Sequence, residues 1–433
     1  MFYLWNAYIS MARWFYSLMF YCLIPLVLLK LWLRGKQAPE YRRRWSERFG
    51  FVHSVEGARP IWVHAVSFGE TMAIIPLVEK LLDEHPEVPV LITSMTPTGS
   101  ARVTAHFGDR VSHCYCPYDL PDALARFHKR INPRSCVIVE TELWPNLIHS
   151  CAQRNIPVLV TNARLSARSA AGYQRFRWLA EPMLQRVTGI AVQNAQDGER
   201  FVELGLASEK LKVTGSIKFD IEAPEGAASE ASRLKNAWGS ERPVIIAAST
   251  HDDEETQLLQ AYRNLQSRYN DLVLVLVPRH PERFTSIYDQ SVKAGFRTCR
   301  RSLTQLPAAD CQIYLGDTMG ELMTLYSTAD IAFVGGSLVE HGGHNPLEPA
   351  VLGKPVLIGP HVHNFHQIVE TMEQELALQV VIDTEELQRV VAELIDHPEQ
   401  ARAMGIRGRN CIEANRGALD QQLQLVKQMA ALG

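Results

Sequence analysis

DIAFVGGSLVEHGGHNPLEPAVLGKPVLIGP, from Asp330 to Pro360, has the pattern of strand, glycine-rich loop, helix opening, helix and second strand. Ile331 to Val334 is a short apolar run that stops at Gly335-Gly336, and Gly342-Gly343 follow in the same loop. Asn345 is placed to cap a helix, Pro346 suits its first position and Glu348 falls at the third. A glycine loop that delivers the chain to a helix N-terminus gathers free N–H groups and the positive dipole end at one point. That combination suits an anion, most often phosphate. The plain alternative for Glu348 is the carboxylate of a capping box. The four glycines and the following GKPVLIGP strand tilt the reading toward a nucleotide.

The same rhythm runs outward in both directions. Ile61–Ser67, Val88–Thr93, Val111–Cys116, Ser135–Val139, Ile156–Thr161, Gly189–Gln193 and Lys212–Thr214 read as strands, with helical spacing between them. It restarts with Val244–Ala248, Leu272–Val277, Ile313–Leu315, Ile331–Val334 and Val356–Ile358. Apolar strands alternating with amphipathic helices predict an α/β fold with mostly parallel sheets covered on both faces. At 433 residues the chain is too long for one ordinary core. Two Rossmann-like doubly wound domains facing a cleft fit best. The expected division is an N-terminal domain over 35–220, a polar connector over 221–242, and a C-terminal domain over 243–410. Residues 411–433 are expected to form a terminal helix that packs back on the N-terminal domain.

The ends and the composition add bounds. The formal net charge of −3 gives no argument for nucleic acid. The eight cysteines lack CxxC or Cys/His ligand spacing and suit free thiols in a reducing compartment. Residues 14–33, WFYSLMFYCLIPLVLLKLWL, are just long enough to cross a bilayer, and 1–34 is expected to be a single-pass anchor. Aromatics crowd its first half, including Trp5, Tyr8, Trp14, Phe15 and Tyr16. Lys30, Arg34, Lys36, Arg42, Arg43, Arg44 and Arg48 follow, which places the rest on the cytoplasmic side and against acidic lipid phosphates. Pro25 and Arg13 interrupt the apolar stretch, so an interfacial helix is the competing reading.

In doubly wound sheets ligands sit beyond the carboxyl ends of the strands. Polar residues there include Glu70, Glu140, Glu142 and Lys218 in the first half. In the second half they include Ser249, Thr250, His280, Arg279 after Pro278, and Met319-Gly320-Glu321 at a helix start. Gly342, Gly343, Asn345, Pro346, Leu347 and Glu348 complete that series. Glu70 stands where a strand hands over to a helix and can serve as a general base on a hydroxyl; the helix dipole should lower its pKa. No DxD, HExxH or Walker A pattern is present, and the spacing of His341, His344, His361, His363 and His366 matches no metal ligand set.

Taken together, VSFGE at 66–70, ETELWPN at 140–146, TGSIKFD at 214–220, STHDDEE at 249–255, PRHPERF at 278–284, GDTMGEL at 316–322 and GGHNPLEPA at 342–350 resemble the Kdo (3-deoxy-D-manno-oct-2-ulosonic acid) transferases of lipopolysaccharide synthesis, of the GT-B class. The resemblance covers essentially the whole chain. It implies inverting, metal-independent transfer of Kdo from CMP-Kdo to a lipid A precursor at the cytoplasmic face of a bacterial inner membrane, with no cofactor. It also implies Glu70 as the base and Glu140 and Lys218 as transition-state stabilisers. Pro278, Arg279, Met319, Gly320, Glu321, Asn345, Pro346, Leu347 and Glu348 would hold CMP, with Glu348 on the ribose. A UDP-sugar transferase acting on a lipid, or a non-catalytic nucleotide-binding membrane protein, are the alternatives.

Overall fold

The computed structural model describes residues 2–36, 38–55, 59–303 and 306–432; the side chains of residues 1–10, Trp5 and Tyr8 among them, lie outside the described set. The chain divides into two compact units, 1–217 with 416–433, and 218–415.

The first unit holds a seven-stranded parallel sheet. Its strands are β1 (Ile61–His64), β2 (Val90–Ser94), β3 (Ser112–Tyr115), β4 (Ser135–Val139), β5 (Val158–Ala163), β6 (Gly189–Val192) and β7 (Leu211–Val213), in the order β3-β2-β1-β4-β5-β6-β7. Central strands such as β4, Ser-Cys-Val-Ile-Val, are buried at every position, as expected where helices cover both faces. β1 pairs with β2 on one side and β4 on the other. The chain therefore changes its direction of travel across the sheet at β1/β4, the switch point where α/β sheets open a crevice.

The second unit repeats the plan with β8 (Val244–Thr250), β9 (Val273–Pro278), β10 (Thr298–Arg300), β11 (Ile313–Leu315), β12 (Ile331–Val334), β13 (Val356–Ile358) and β14 (Leu378–Val380). Their order is β10-β11-β9-β8-β12-β13-β14, all parallel, with the switch point at β8/β12.

The unit boundary falls between Ile217 and Lys218, and the stretch 221–242 is more than a connector. Its small polar residues hide a helix, Ala227–Trp238, whose apolar positions Ala227, Ala231, Leu234 and Trp238 are buried at helical spacing. Trp238 meets Tyr314 edge-on at 5.4 Å inside the second unit's core. The terminal region is likewise two helices. Pro398–Asn415 belongs to the second unit and Ala418–Met429 to the first, with Gly417 at φ 95° between them.

The helix Ala418–Met429 buries Leu419, Leu423 and Val426 among Ile74, Leu77 and Leu81. Its Gln422 is fully buried. The Gln422 Oε1 accepts from the Asn162 backbone N–H at 3.0 Å, and its Nε2 donates to Thr214 Oγ1 at 3.0 Å. Gln422→Ala would strand a buried N–H and is expected to cost the first unit about 1–3 kcal/mol. A lowered urea midpoint for that unit, with the second unit's unchanged, is the measurement.

The helix α1 (Phe2–Arg34) includes the stretch Met11–Arg34, long and apolar enough to cross a membrane, with mean hydropathy 1.8. One side of it packs on the first unit, where Phe20, Ile24, Val27, Leu28 and Leu31 lie against Tyr118, Leu120 and Ala123. Arg48 is not part of the exposed basic cluster. It is buried, its Nη2 donates to the Met95 carbonyl at 3.0 Å, and its guanidinium lies 4.2 Å from the Tyr115 ring centroid.

Candidate active site

At the first switch point, Ser67 caps the helix α2 (Phe68–Glu84), and its Oγ accepts from the Glu70 N–H at 3.2 Å. In return Glu70 accepts from the Ser67 hydroxyl at 2.6 Å and from the Val66 N–H at 2.7 Å. This is a variant of the capping box considered above for Glu348, built instead at the other site. It pins the Glu70 carboxylate at the end of β1 in one rotamer.

Glu70 is only 7% exposed. Burial pushes its pKa up to about 7, helped by Glu142 and Glu140 and opposed by the hydrogen bonds from Ser67 and Val66. The dipole argument predicted a lowered pKa. Burial and the neighbouring carboxylates outweigh it, so Glu70 is poised near neutrality.

Glu140 follows β4 at φ 58° and its carboxylate meets the Arg164 guanidinium at 3.1 Å. Glu142 accepts from Trp144 Nε1 at 2.9 Å, and burial raises its pKa, with Glu140 adding to the rise. The first unit thus brings Glu70, Glu140 and Glu142 into electrostatic reach of one another. Lys218 belongs to the second unit, where its ammonium lies 5.0 Å from the Phe365 ring centroid.

At the second switch point the glycine loop is differently used than its sequence predicted. The first half of the loop already holds an anion, the chain's own Glu254. That carboxylate is fully buried and accepts from Gly336 N at 2.7 Å, Leu338 N at 3.0 Å, Ser337 N at 3.1 Å and His251 N at 3.2 Å. A Cβ at Gly335 would stand 2.9 Å from Glu254 Oε2 and 2.8 Å from the Ser249 carbonyl oxygen. Gly343 N–H donates to Gly336 O at 2.8 Å, folding the loop on itself. The backbone donors of Gly335–Leu338 therefore serve the fold.

What faces outward from this switch point is a set of side chains. His251 Nε2 and His344 Nε2 lie 2.8 Å apart, and the two rings stack, with His341 stacked on His251 at 4.1 Å and His280 edge-on at 5.2 Å. Burial lowers His251 to about 4 and His344 to about 3, so both rings are neutral near pH 7; Arg279 and the other imidazoles add to the shift. The Arg279 N–H donates to the Thr250 carbonyl at 2.9 Å. Its guanidinium forms no hydrogen bond or ion pair with the described residues, and it acts electrostatically on His251, His344 and Glu348.

Asn345 Oδ1 accepts from the Leu347 N–H at 3.2 Å, and the helix begins one residue later than its sequence predicted, as the short Leu347–Val351 after Pro346. Burial pushes Glu348 up to about 7, against Asn345 and Arg279, which pull it down. The unit therefore brings Arg279, Asn345 and Glu348 together with the imidazoles. Pro278 ends β9 just before Arg279.

Other residues expected here are engaged elsewhere. Glu321 binds Arg301 through both oxygens, at 2.7 and 3.2 Å, and caps rather than opens its helix, Leu322–Thr328. Thr250 Oγ1 donates to buried Glu255 at 3.1 Å, which also accepts from Arg283 at 3.0 Å. Ser249 sits at φ 58° inside β8, at the register shift between Ala248 and Thr250 in the pairing with β9. Met319 is 66% exposed, and Gly320 has φ 83°. Gly342 also has positive φ, at 91°. Among the described residues no group of three or more His, Cys, Asp or Glu is placed to hold a metal ion. Sequence reasoning gave no role to Glu254, Ser67 or the His251–His344 pair. Ser67-x-x-Glu70 was legible as S-x-x-E, whereas Glu254 lay hidden in the acidic run Asp252–Glu255.

Residues 43–221 match the family described as 3-deoxy-D-manno-octulosonic-acid transferase (kdotransferase), and residues 229–411 match glycosyl transferases group 1. The chain is similar to the 3-deoxy-D-manno-octulosonic acid transferase of Haemophilus influenzae, 43% identical over 420 residues that cover 96% of this chain and 98% of that one. It is also similar to that of Bordetella pertussis, 33% identical, covering 96% and 99%. Among solved structures, UDP-GlcNAc 2-epimerase from Neisseria meningitidis bound to UDP-GlcNAc shares the fold, with TM-score 0.57 and 14% identity over 84% of this chain and 99% of that one.

Proposed function

This chain belongs to the 3-deoxy-D-manno-octulosonic acid (Kdo) transferases, glycosyltransferases of lipopolysaccharide synthesis, and from that footing we propose that it moves Kdo from CMP-Kdo to a lipid A precursor with inversion, at the cytoplasmic face of the inner membrane. An acceptor hydroxyl oxygen forms the bond to the anomeric carbon of Kdo. The bond from that carbon to the CMP phosphate oxygen breaks, CMP leaves with the electron pair, and the hydroxyl proton passes to Glu70. Glu140 and Lys218 stabilise the charge that develops. Arg279 meets the single phosphate, with His251 and His344 as neutral neighbours. Pro278, the backbone of Met319–Glu321 and the turn Asn345–Leu347 line the nucleotide, and Glu348 takes its ribose hydroxyls. A monophosphate needs less charge neutralisation than a diphosphate, so one arginine and oriented dipoles suffice without a metal.

The observation that carries the reading is the buried Glu70, held by Ser67 and Val66 and tuned to about 7. Mass spectrometry of the product from CMP-Kdo and the lipid A precursor tests it; absence of a Kdo adduct overturns it. A UDP donor is the second reading. Thermal stabilisation discriminates the two: saturation with CMP to about 100 times Kd should add about 2.7 kcal/mol. Stabilisation by UDP and not by CMP would reverse the donor assignment.

The pH dependence has a fixed sign. Because the folded pKa of Glu70 is raised, its stabilising contribution is present below about pH 4.3, the usual Glu value, and is lost as pH rises through about 7. Catalysis runs the other way, since only the carboxylate accepts a proton. The rate should rise with pH to a plateau with a midpoint near 7. Glu142→Gln removes a neighbouring charge and should move that midpoint to lower pH. An unmoved midpoint assigns the limb to another group, such as Glu348.

A further inference from the structure

The outward face of α1 and its flanking charges point to a bilayer surface. We propose that α1 lies in the plane of an anionic membrane, half immersed and fixed to the first unit, instead of crossing the bilayer. The inference rests only on the bilayer part of the reading above, not on the sugar or the nucleotide.

The helix is apolar all round, which ordinarily marks a helix enclosed on every side. Here one side is covered by the first unit, and the other is covered by none of the described residues. Eleven of the 24 large apolar side chains that are exposed among the described residues lie between Met11 and Leu33. Phe15, Leu18 and Leu26, each more than 60% exposed, share that outer face.

The inner side is attached by polar contacts as well as apolar ones. Arg13 Nη1 donates to Asn146 Oδ1 at 3.1 Å, and Asn146 Nδ2 donates to buried Ser17 Oγ at 3.0 Å. Asn146 is itself held by Asp119, and the Tyr21 hydroxyl donates to Asp122 at 2.5 Å. The attached length therefore runs from Arg13 to Leu31. For α1 to span, either these contacts must break or Asp119 and Asn146 must enter hydrocarbon, where polar groups of this kind find no water.

Charge selects the occupant. No acidic residue precedes Glu40. Trp32 carries Lys36 and Arg42 against its ring, at 5.5 and 4.9 Å, and Arg13 lies 5.6 Å from the Trp14 ring. Cations seated on aromatic rings, with no acidic residue among them, select an anionic headgroup layer as the occupant; the in-plane placement rests on the polar attachments of the inner side. A second contact sits beside it. The helix Arg177–Leu184 packs on α1, and at its junction with Ala167–Arg175 the Phe176 side chain projects 58% exposed between Arg175 and Arg177.

The test uses the full chain in inverted inner-membrane vesicles, whose outer surface is the cytoplasmic face. Ser10→Cys and Glu40→Cys are each placed in a Cys22→Ser/Cys299→Ser background and exposed to a membrane-impermeant maleimide. An in-plane helix leaves both sites labelled to within about twofold before permeabilisation. Labelling of Ser10→Cys only after permeabilisation, while Glu40→Cys labels at once, overturns the proposal. In a second arm, Leu18→Glu/Leu26→Glu should weaken binding to phosphatidylglycerol vesicles more than tenfold while the first unit's thermal transition stays in place. Undiminished vesicle binding also overturns it. Neither arm involves CMP-Kdo, so failure here and failure of Kdo transfer are separate results.

Discussion

Glu70→Gln is expected to lower kcat by about 10² to 10⁴-fold, the range for losing a positioned general base. Glutamine keeps the shape: its one oxygen can still accept from the Val66 N–H, which the native carboxylate binds at 2.7 Å, and its amide N–H can donate to the Ser67 hydroxyl oxygen in place of the native 2.6 Å bond from that hydroxyl. The fold should survive, and stability above pH 7 should rise slightly, because a buried charge is removed. CMP binding is expected to be unchanged, since the residues proposed for it all lie in the second unit. Pre-steady-state transfer and CMP thermal shift, measured on the same preparation, check both halves. Near-native turnover would remove Glu70 as the base, and lost CMP binding would mean that it acts on the donor.

Glu254→Gln addresses a residue that no substrate touches in this scheme. Its carboxylate accepts from four backbone N–H groups between 2.7 and 3.2 Å. An amide offers one oxygen and turns an N–H₂ toward donors that need an acceptor. Each buried donor left unsatisfied costs about 1–3 kcal/mol, and partial rearrangement brings the expected loss to about 3–5 kcal/mol. For a unit of this size that is a fall on the order of 10 °C in its transition. Calorimetry should show the second unit's transition moving and the first unit's staying in place. CMP affinity should fall with it, because the Gly335–His344 loop positions His344 and leads to Asn345. A variant with an unchanged transition would show that water satisfies the loop as well as the carboxylate does.

The parallel strands were legible because burial on both faces leaves unbroken apolar runs such as Val-Leu-Val-Leu-Val before Pro278. The edge strands β10 and β14 were not. Each is three residues long, Thr-Cys-Arg and Leu-Gln-Val, and edge strands need no continuous apolar signal. The helix Ala227–Trp238 was masked by alanine and serine, which composition reads as linker and geometry reads as close packing. At the site, Glu70 was locatable from its place after β1, but its pKa was not. The sign depended on burial and on Glu142, which arrives from β4 some seventy residues later. The glycines of the 335–343 loop were read as backbone for a phosphate, whereas Gly335 and Gly336 close on the carboxylate of Glu254. The carboxylate they approach comes from a different strand end, and local sequence does not carry that pairing.

The helix Ala418–Met429 has a consequence for how the protein is made. The first unit lacks this helix until synthesis has passed Met429, because the whole second unit is translated in between. At about 5–20 residues per second the nascent chain waits roughly 10–40 s with Asn162 and the surface around Ile74 and Leu81 uncovered, while residues 218–415 emerge and can fold. A stop codon or protease cut near residue 416 would therefore spare the later-made unit and cripple the earlier-made one.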